Sequence, residues 1–177
     1  MKNIMFIRHA KSSWKIPELS DKFRPLNKRG KANALDIGQK LKQLPYHPDK
    51  ILCSTATRAM DTCLAVVEPL PFQWLKTDLR EELYGCDAHD MIRMFQKLPD
   101  QFEKLIVFGH NPEIAHCIEL LSGISILHYP TGASCWLQLP VDHWKSLKAG
   151  TGKIHWLSSP RTAIEDMIPE LELPDIQ

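Results

Sequence analysis

The stretch Leu105-Ile106-Val107-Phe108-Gly109-His110-Asn111-Pro112 decides the fold class. Four consecutive apolar residues, two of them β-branched, suit a strand buried on both faces, the usual condition of a parallel sheet. Gly109 and His110 end the run. Asn111 then reads as a helix N-cap and Pro112 as the first helical residue, where the missing N–H costs nothing. Ile114, Ala115, Ile118 and Leu121 follow at helical spacing, and Gly123 marks a stop. A strand that turns directly into a helix is half of a βα unit.

The same grammar recurs upstream. Ile4-Met5-Phe6-Ile7 reads as a buried strand, followed by a polar, irregular segment from Arg8 to about Leu26. Asn27 caps a helix that runs to about Leu44, with Ala34, Ile37, Leu41 and Leu44 on one face; Pro45 and Pro48 stop it. Lys50 to Cys53 is the second strand. Ser54 or Thr55 is expected to cap the next helix, whose apolar positions include Ala59, Cys63 and Val67 and which ends at Pro69 and Pro71. Phe72 to Lys76 is expected to form a short strand, and Asp87 to cap a third helix carrying Met91, Ile92 and Phe95.

Downstream, Ala133 to Leu139 alternates in the manner of a strand, and Lys153 to Leu157 forms another after a Gly150-Thr151-Gly152 turn. The two are expected to pair as an antiparallel hairpin at the sheet edge. The pattern predicts an α/β fold of three layers, α/β/α, with a mostly parallel sheet and an antiparallel edge. It predicts one domain over 1–160 and an acidic, proline-punctuated tail over 161–177.

Composition narrows the functions. Of 177 residues, 44% are hydrophobic and 24% charged, and 22 Lys and Arg against 21 Asp and Glu leave a net charge of +1. A general binder of nucleic acid or anionic membrane needs a large basic excess, so neither partner is expected. A small positive pocket remains compatible with the balance. No apolar run approaches the roughly 20 residues of a membrane span, and MKNIMFIRHA lacks the apolar core and cleavage site of a secretory signal. A cytoplasmic protein is expected.

The five cysteines are odd in number and never form CxxC, which predicts reduced thiols. Gly150-Thr151-Gly152-Lys153 lacks the preceding glycine and the following Ser or Thr of a nucleotide loop. His89, His116, His128, His143 and His155 fall at no metal-ligand spacing, so neither metal nor cofactor is expected.

In a doubly wound sheet, ligands bind beyond the carboxyl ends of the strands, where helix N-termini also point. Arg8-His9 follows the first strand, His110 follows the strongest one, and Arg58 lies in the first turn of the helix after the second. Four side chains suited to phosphate therefore fall on one rim.

The wording around them is specific. Arg8-His9-Ala10-Lys11-Ser12-Ser13-Trp14 resembles the opening signature of the histidine phosphatase superfamily, the phosphoglycerate mutase-like enzymes, with Ala10 where glycine is usual. Cys53-Ser54-Thr55-Ala56-Thr57-Arg58-Ala59-Met60-Asp61-Thr62 is similar to the second block, a serine-led turn that delivers an arginine followed by Ala-x-x-Thr. Val107-Phe108-Gly109-His110-Asn111-Pro112 is similar to the third. Arg24-Pro25-Leu26, with Gly30 four residues on, and Gly109-His110-Asn111-Pro112 resemble the branch of SixA-type phosphohistidine phosphatases.

The resemblance implies a metal-independent phosphatase. His9 attacks phosphorus through a neutral ring nitrogen while its other nitrogen donates to a backbone carbonyl. Arg8, Arg58 and His110 hold the phosphoryl oxygens, with Ser12 and Lys11 as further phosphate contacts. A proton donor to the leaving group is sought at Glu81 or Glu82, and a phosphohistidine substrate needs neither. The implied partner is a protein bearing phosphohistidine, or else a small phosphorylated metabolite. A small-molecule phosphomonoesterase and a non-catalytic phosphate-binding module are the alternatives. Asp21 and Arg24 are expected to brace the first loop as an ion pair.

Overall fold

The computed structural model describes residues 1–71, 77–169 and 171. The apolar runs become strands β1 (Lys2–Arg8), β2 (Lys50–Ser54), β3 (Thr77–Arg80), β4 (Lys104–Gly109), β5 (Ser134–Leu139) and β6 (Lys153–Ser158). They form one sheet in the order β3-β2-β4-β1-β5-β6. The first four in that order run parallel, β5 is antiparallel to β1, and β6 is antiparallel to β5. The expected mostly parallel sheet with an antiparallel edge is what the chain builds.

Helices α1 (Lys28–Lys42), α2 (Thr57–Val67), α3 (Ala88–Gln96), α4 (Glu113–Ser122) and the short α5 (Ile164–Met167) complete the fold. The two-residue period of the strands divides the core between two faces. Met5, Ile7, Ile51, Cys53, Ile106 and Phe108 pack against α1 and α2. Ile4, Phe6, Leu52, Leu105 and Val107 pack against α3 and α4. This is the three-layer α/β/α arrangement.

The topology dictates where a ligand binds. The chain leaves β1 through α1 toward one face and leaves β4 through α4 toward the other, although β1 and β4 are neighbours. Connections that part in this way open a crevice at the carboxyl ends of the two strands. The crevice lies where Arg8-His9 and Gly109-His110 emerge.

Several local expectations are corrected. The N-cap of α2 is Ala56, with no side-chain cap, because the Ser54 hydroxyl is engaged elsewhere. The N-cap of α4 is Pro112; Asn111 instead donates its Nδ2 to the Tyr129 carbonyl at 3.0 Å. The third strand occupies Thr77–Arg80, and Phe72 to Lys76 lie outside the described residues.

The β5–β6 connection is longer than a tight hairpin. It carries a 3-10 turn at Trp144–Ser146, and the N–H groups of Gly150 and Gly152 cap the Leu120 and Leu121 carbonyls at the end of α4. Asn27 and Asp87 are the expected caps, accepting from the N–H of Gly30 and Asp90. Packing also continues past residue 160. Met167 and Ile168 are buried in the core, and Leu127 N–H donates to the Met167 carbonyl.

Candidate active site

Strand register brings the two histidines together. Arg8 pairs with Gly109 across β1 and β4, and His9 N–H donates to the Gly109 carbonyl at 3.0 Å. The next residue on each strand end is a histidine, so the His9 and His110 rings lie 5.1 Å apart, centroid to centroid.

The hydrogen bonds of His9 fix its tautomer. Its Nδ1 lies 2.8 Å from the Ala10 carbonyl, which only accepts, so Nδ1 carries the proton. Nε2 is left with a lone pair, and it accepts from Arg58 Nε at 3.2 Å. Burial, foremost, drops the His9 pKa to about 3; His110, Arg58 and Arg8 add to the effect, against the Ala10 hydrogen bond. His9 is therefore a neutral imidazole whose bare nitrogen faces a guanidinium.

Ala10 is held from below. Its N–H donates to Thr62 Oγ1 at 2.9 Å, and the Thr62 hydroxyl donates to the Arg58 carbonyl at 2.6 Å. Residues four apart share a helix face, so Arg58 and Thr62 approach the His9 turn as a unit. The methyl of Ala10, where glycine is usual, is fully buried in the core.

His110 Nε2 pairs with Ser54 Oγ at 2.9 Å, and that oxygen also accepts from Ala56 N–H at 3.3 Å. Burial, followed by Arg58, lowers the His110 pKa to about 4. Arg8 Nη1 donates to the Tyr129 carbonyl at 2.7 Å. Two buried nitrogens, Arg8 Nε and His110 Nδ1, have no hydrogen-bond partner among the described residues.

The first loop closes over Arg58. Arg58 Nη1 donates to the Asp21 backbone carbonyl at 2.6 Å, and Nη2 to Asp21 Oδ2 at 2.8 Å. The same carboxylate accepts from Arg24 Nη1 at 2.7 Å and from the Tyr84 hydroxyl at 3.1 Å. The expected Asp21–Arg24 pair is present, and Asp21 reaches further than expected, to Arg58. Partial burial raises the Asp21 pKa, but the hydrogen bonds of Arg24 and Arg58 outweigh it and hold the carboxyl below its ordinary range.

The remaining candidates separate. The Ser12 hydroxyl accepts from Arg24 Nη2 at 2.7 Å, so it serves the brace. Lys11 is half-buried, and its carbonyl accepts from Asn27 N–H at 3.0 Å. Trp14 is 72% exposed and stacks on the Arg24 guanidinium.

Glu81 lies at the rim, with Oε2 accepting from Thr55 Oγ1 and Oε1 from Lys22 Nζ, both at 2.5 Å. These bonds, Lys22 first, lower its pKa. Glu82 lines a cavity of about 570 Å³ that shares Tyr84 with the site but whose wall contains none of Arg8, His9, Arg58 and His110.

Ser54, Thr62, Tyr84 and the second partner of Asp21 were not foreseen. Thr62 had a signal, its four-residue spacing from Arg58. Tyr84 had none, because its edge contact with the His110 ring at 5.5 Å is purely tertiary.

The arrangement places two neutral imidazoles and two guanidiniums at one crevice, a set suited to a tetrahedral oxyanion. Comparison with known proteins agrees. Residues 4–118 match the family described as the histidine phosphatase superfamily (branch 1). The chain belongs to that superfamily.

An uncharacterized chloroplastic protein of Arabidopsis thaliana is 28% identical over 163 residues, covering 88% of this chain and 74% of that one. A structure from Agrobacterium tumefaciens named as a SixA phosphohistidine phosphatase superposes with a TM-score of 0.76 at 22% identity, covering 90% of this chain and 98% of that one. The protein histidine phosphatase SixA complexed with tungstate gives 0.76 at 23% identity, covering 89% and 97%. At these identities the structural likeness establishes the fold. With the family, it makes this histidine phosphatase superfamily member a phosphatase of SixA-like architecture.

Proposed function

We propose that the protein is a metal-independent phosphohistidine phosphatase that works through a phosphorylated His9. The observation that carries this is the His9 Nε2 lone pair, held toward Arg58 by the Nδ1–H donation to Ala10. A neutral, pre-oriented imidazole is a nucleophile at neutral pH. Nε2 attacks phosphorus, the bond from phosphorus to the leaving group breaks, and that group departs with the electron pair. Arg58 Nε transfers its donation to a phosphoryl oxygen. Arg8 Nε and His110 Nδ1, both without hydrogen-bond partners among the described residues, stabilise the charge that spreads over the oxygens. Water then attacks the phosphoryl group and the pair returns to His9, releasing inorganic phosphate.

The carboxylates favour phosphohistidine over an alcohol ester. An alkoxide leaving group needs a proton, whereas a leaving imidazole carries its own. Asp21, which holds Arg58, and Glu81 at the rim are both held ionised by their hydrogen bonds and so do not serve as acids at neutral pH. Glu82 lines a cavity whose wall holds none of Arg8, His9, Arg58 and His110. The substrate is then a histidine-phosphorylated protein, with a small phosphorylated metabolite as the second reading.

Comparing kcat/KM on phosphohistidine peptide and on a panel of phosphomonoesters tests the assignment. Preference for the peptide by orders of magnitude is expected, with labelled phosphate trapped on His9 and abolished in His9→Ala. Equal, low rates on every compound would overturn the substrate class. Failure to trap label on His9 would overturn the mechanism.

A further inference from the structure

Between Lys11 and Lys31 the chain carries seven Lys and Arg against two acids, in a protein whose net charge is only +1. Positive charge is therefore concentrated where the chain wraps the crevice. Lys22 and Arg24 have ion-pair partners in Glu81 and Asp21. Among the described residues, Lys15, Lys28 and Lys31 have none. Lys28 and Lys31 are one turn apart on exposed positions of α1, where like charges repel.

These three lysines border one groove of about 490 Å³, with Ile16, Leu19, Pro25 and Leu26 as its apolar lining. The same loop exposes Trp14, Ile16 and Phe23. Isolated apolar side chains on a surface are ordinary, but Ile16 is exposed on the lining of a basic groove, and Trp14 stacks on Arg24, whose Nε is bonded to the groove wall.

The groove is joined to the chemistry. Arg24 Nε donates to the carbonyl of Ser13 on the groove wall, while its Nη1 reaches Asp21, which holds Arg58 against His9. A protein interface of ordinary size is about 800 Å² per partner and so about 30 Å across, well beyond the reach of the one side chain, Arg24, that links groove wall and Asp21.

We propose that this groove docks the protein that carries the phosphohistidine, by taking a segment in which acidic side chains flank one or two aliphatic ones. This rests on the substrate class proposed above. The lysines take the acids, the Ile16–Leu26 floor takes the aliphatic side chains, and the phosphorylated ring enters the crevice. A nucleic acid would use the lysines but leave the aliphatic floor unfilled, so a protein is the better fit.

The test uses three probes: free phosphohistidine, a phosphohistidine peptide with flanking Glu and Leu, and the same peptide with Lys in place of Glu. The wild-type protein is expected to prefer the Glu peptide over the Lys peptide by about tenfold in kcat/KM at low salt, shrinking as salt rises. Lys28→Glu combined with Lys31→Glu is expected to abolish or reverse that preference while leaving free phosphohistidine turnover unchanged. Leu19→Asp is expected to weaken both peptides and not the free compound.

Equal rates on the two peptides would overturn the docking proposal while leaving the phosphatase assignment standing. So would an equal loss on all three probes in the lysine variant, or a single-stranded oligonucleotide that competes at the lysines while the peptides are not discriminated. Absence of turnover on all three probes in the wild type, with turnover of p-nitrophenyl phosphate, would overturn the substrate class beneath it.

Discussion

Asp21 and Arg58 are joined by two contacts, one from Nη1 to the Asp21 backbone carbonyl and one from Nη2 to its carboxylate. Nε and Nη2 lie on the same edge of a guanidinium, so Arg58 presents one fork to His9 Nε2 and Asp21 Oδ2 side by side. That edge is the one that grips a phosphoryl group with two parallel hydrogen bonds. The Asp21 carboxylate therefore engages one of the two donors that a phosphoryl group would take, and the backbone contact keeps the guanidinium aimed if the carboxylate withdraws.

Asp21→Asn separates competition from positioning. The backbone carbonyl still aims Arg58, while the competing charge is gone. Half-exposed ion pairs are weak, about 1 kcal/mol after solvent screening, so inhibition by inorganic phosphate is expected to tighten about fivefold, with KM falling in parallel. Weaker phosphate inhibition in the variant would show that the carboxylate mainly orients Arg58.

The buried histidines link stability to pH. Burial is the main reason that His9 and His110 titrate at about 3 and about 4, below their ordinary 6.5. Unfolded, each takes up a proton as pH falls through 6.5; folded, each resists until pH nears 4 or lower. The unfolded state then binds more protons, and stability falls with pH across that window, by about 1.4 kcal/mol per pH unit for each histidine. From about one unit above 6.5 both are neutral in both states and their contribution to the dependence vanishes. His110→Asn is expected to flatten the slope between pH 4.5 and 6 by about 1.4 kcal/mol per unit in urea unfolding. An unchanged slope would contradict the neutral, buried state of His110.

Thr62 predicts a loss of both stability and turnover from a residue that never reaches substrate. Thr62→Val keeps shape and β-branching but strands the buried Ala10 N–H, at a cost of about 1–3 kcal/mol. The Ala10 carbonyl that orients His9 Nδ1–H is then less firmly placed, so kcat is expected to fall about tenfold with KM little changed. Thr62→Ser, which retains the hydroxyl, is expected to recover most of kcat. A fall in stability with kcat intact would reduce Thr62 to a structural role.

The parts of this molecule legible in its sequence are those decided by backbone and burial. Apolar runs at Ile4 to Ile7 and Leu105 to Phe108 admit little but buried strands, and their ends carry His9 and His110 wherever the sheet forms. The first loop was not legible, because its polar side chains choose among partners that only the tertiary fold brings close. The Ser12 hydroxyl suits phosphate by type and meets Arg24; Asp21 pairs with the nearby Arg24 and also takes Arg58. Asn27 and Asp87 cap as expected, whereas the caps of α2 and α4 differ for a related reason. Ser54 and Asn111 are good caps by type, but His110 and the Tyr129 carbonyl hold them. The buried Met167 and Ile168 follow a polar, proline-marked stretch that hides their packing.

Gly30 offers a case in which local propensity and tertiary packing predict opposite signs. It lies in the first turn of α1, where replacing glycine by alanine ordinarily stabilises a helix by up to about 1 kcal/mol. Here a Cβ at Gly30 would collide with the backbone carbonyl of Lys11. That carbonyl cannot swing aside, since it accepts the Asn27 N–H at 3.0 Å, and Ser12 beyond it is tied to Asn27 and Arg24. Gly30→Ala must push α1 away from the turn that carries His9 and Ala10, at an expected cost of about 1–3 kcal/mol. Melting temperature and kcat/KM are expected to fall together, because the displaced loop holds Asp21 and, through it, Arg58. A Gly30→Ala protein more stable than the wild type would mean that α1 and the His9 turn are not in this contact, and the close approach that this glycine permits would lose its physical basis.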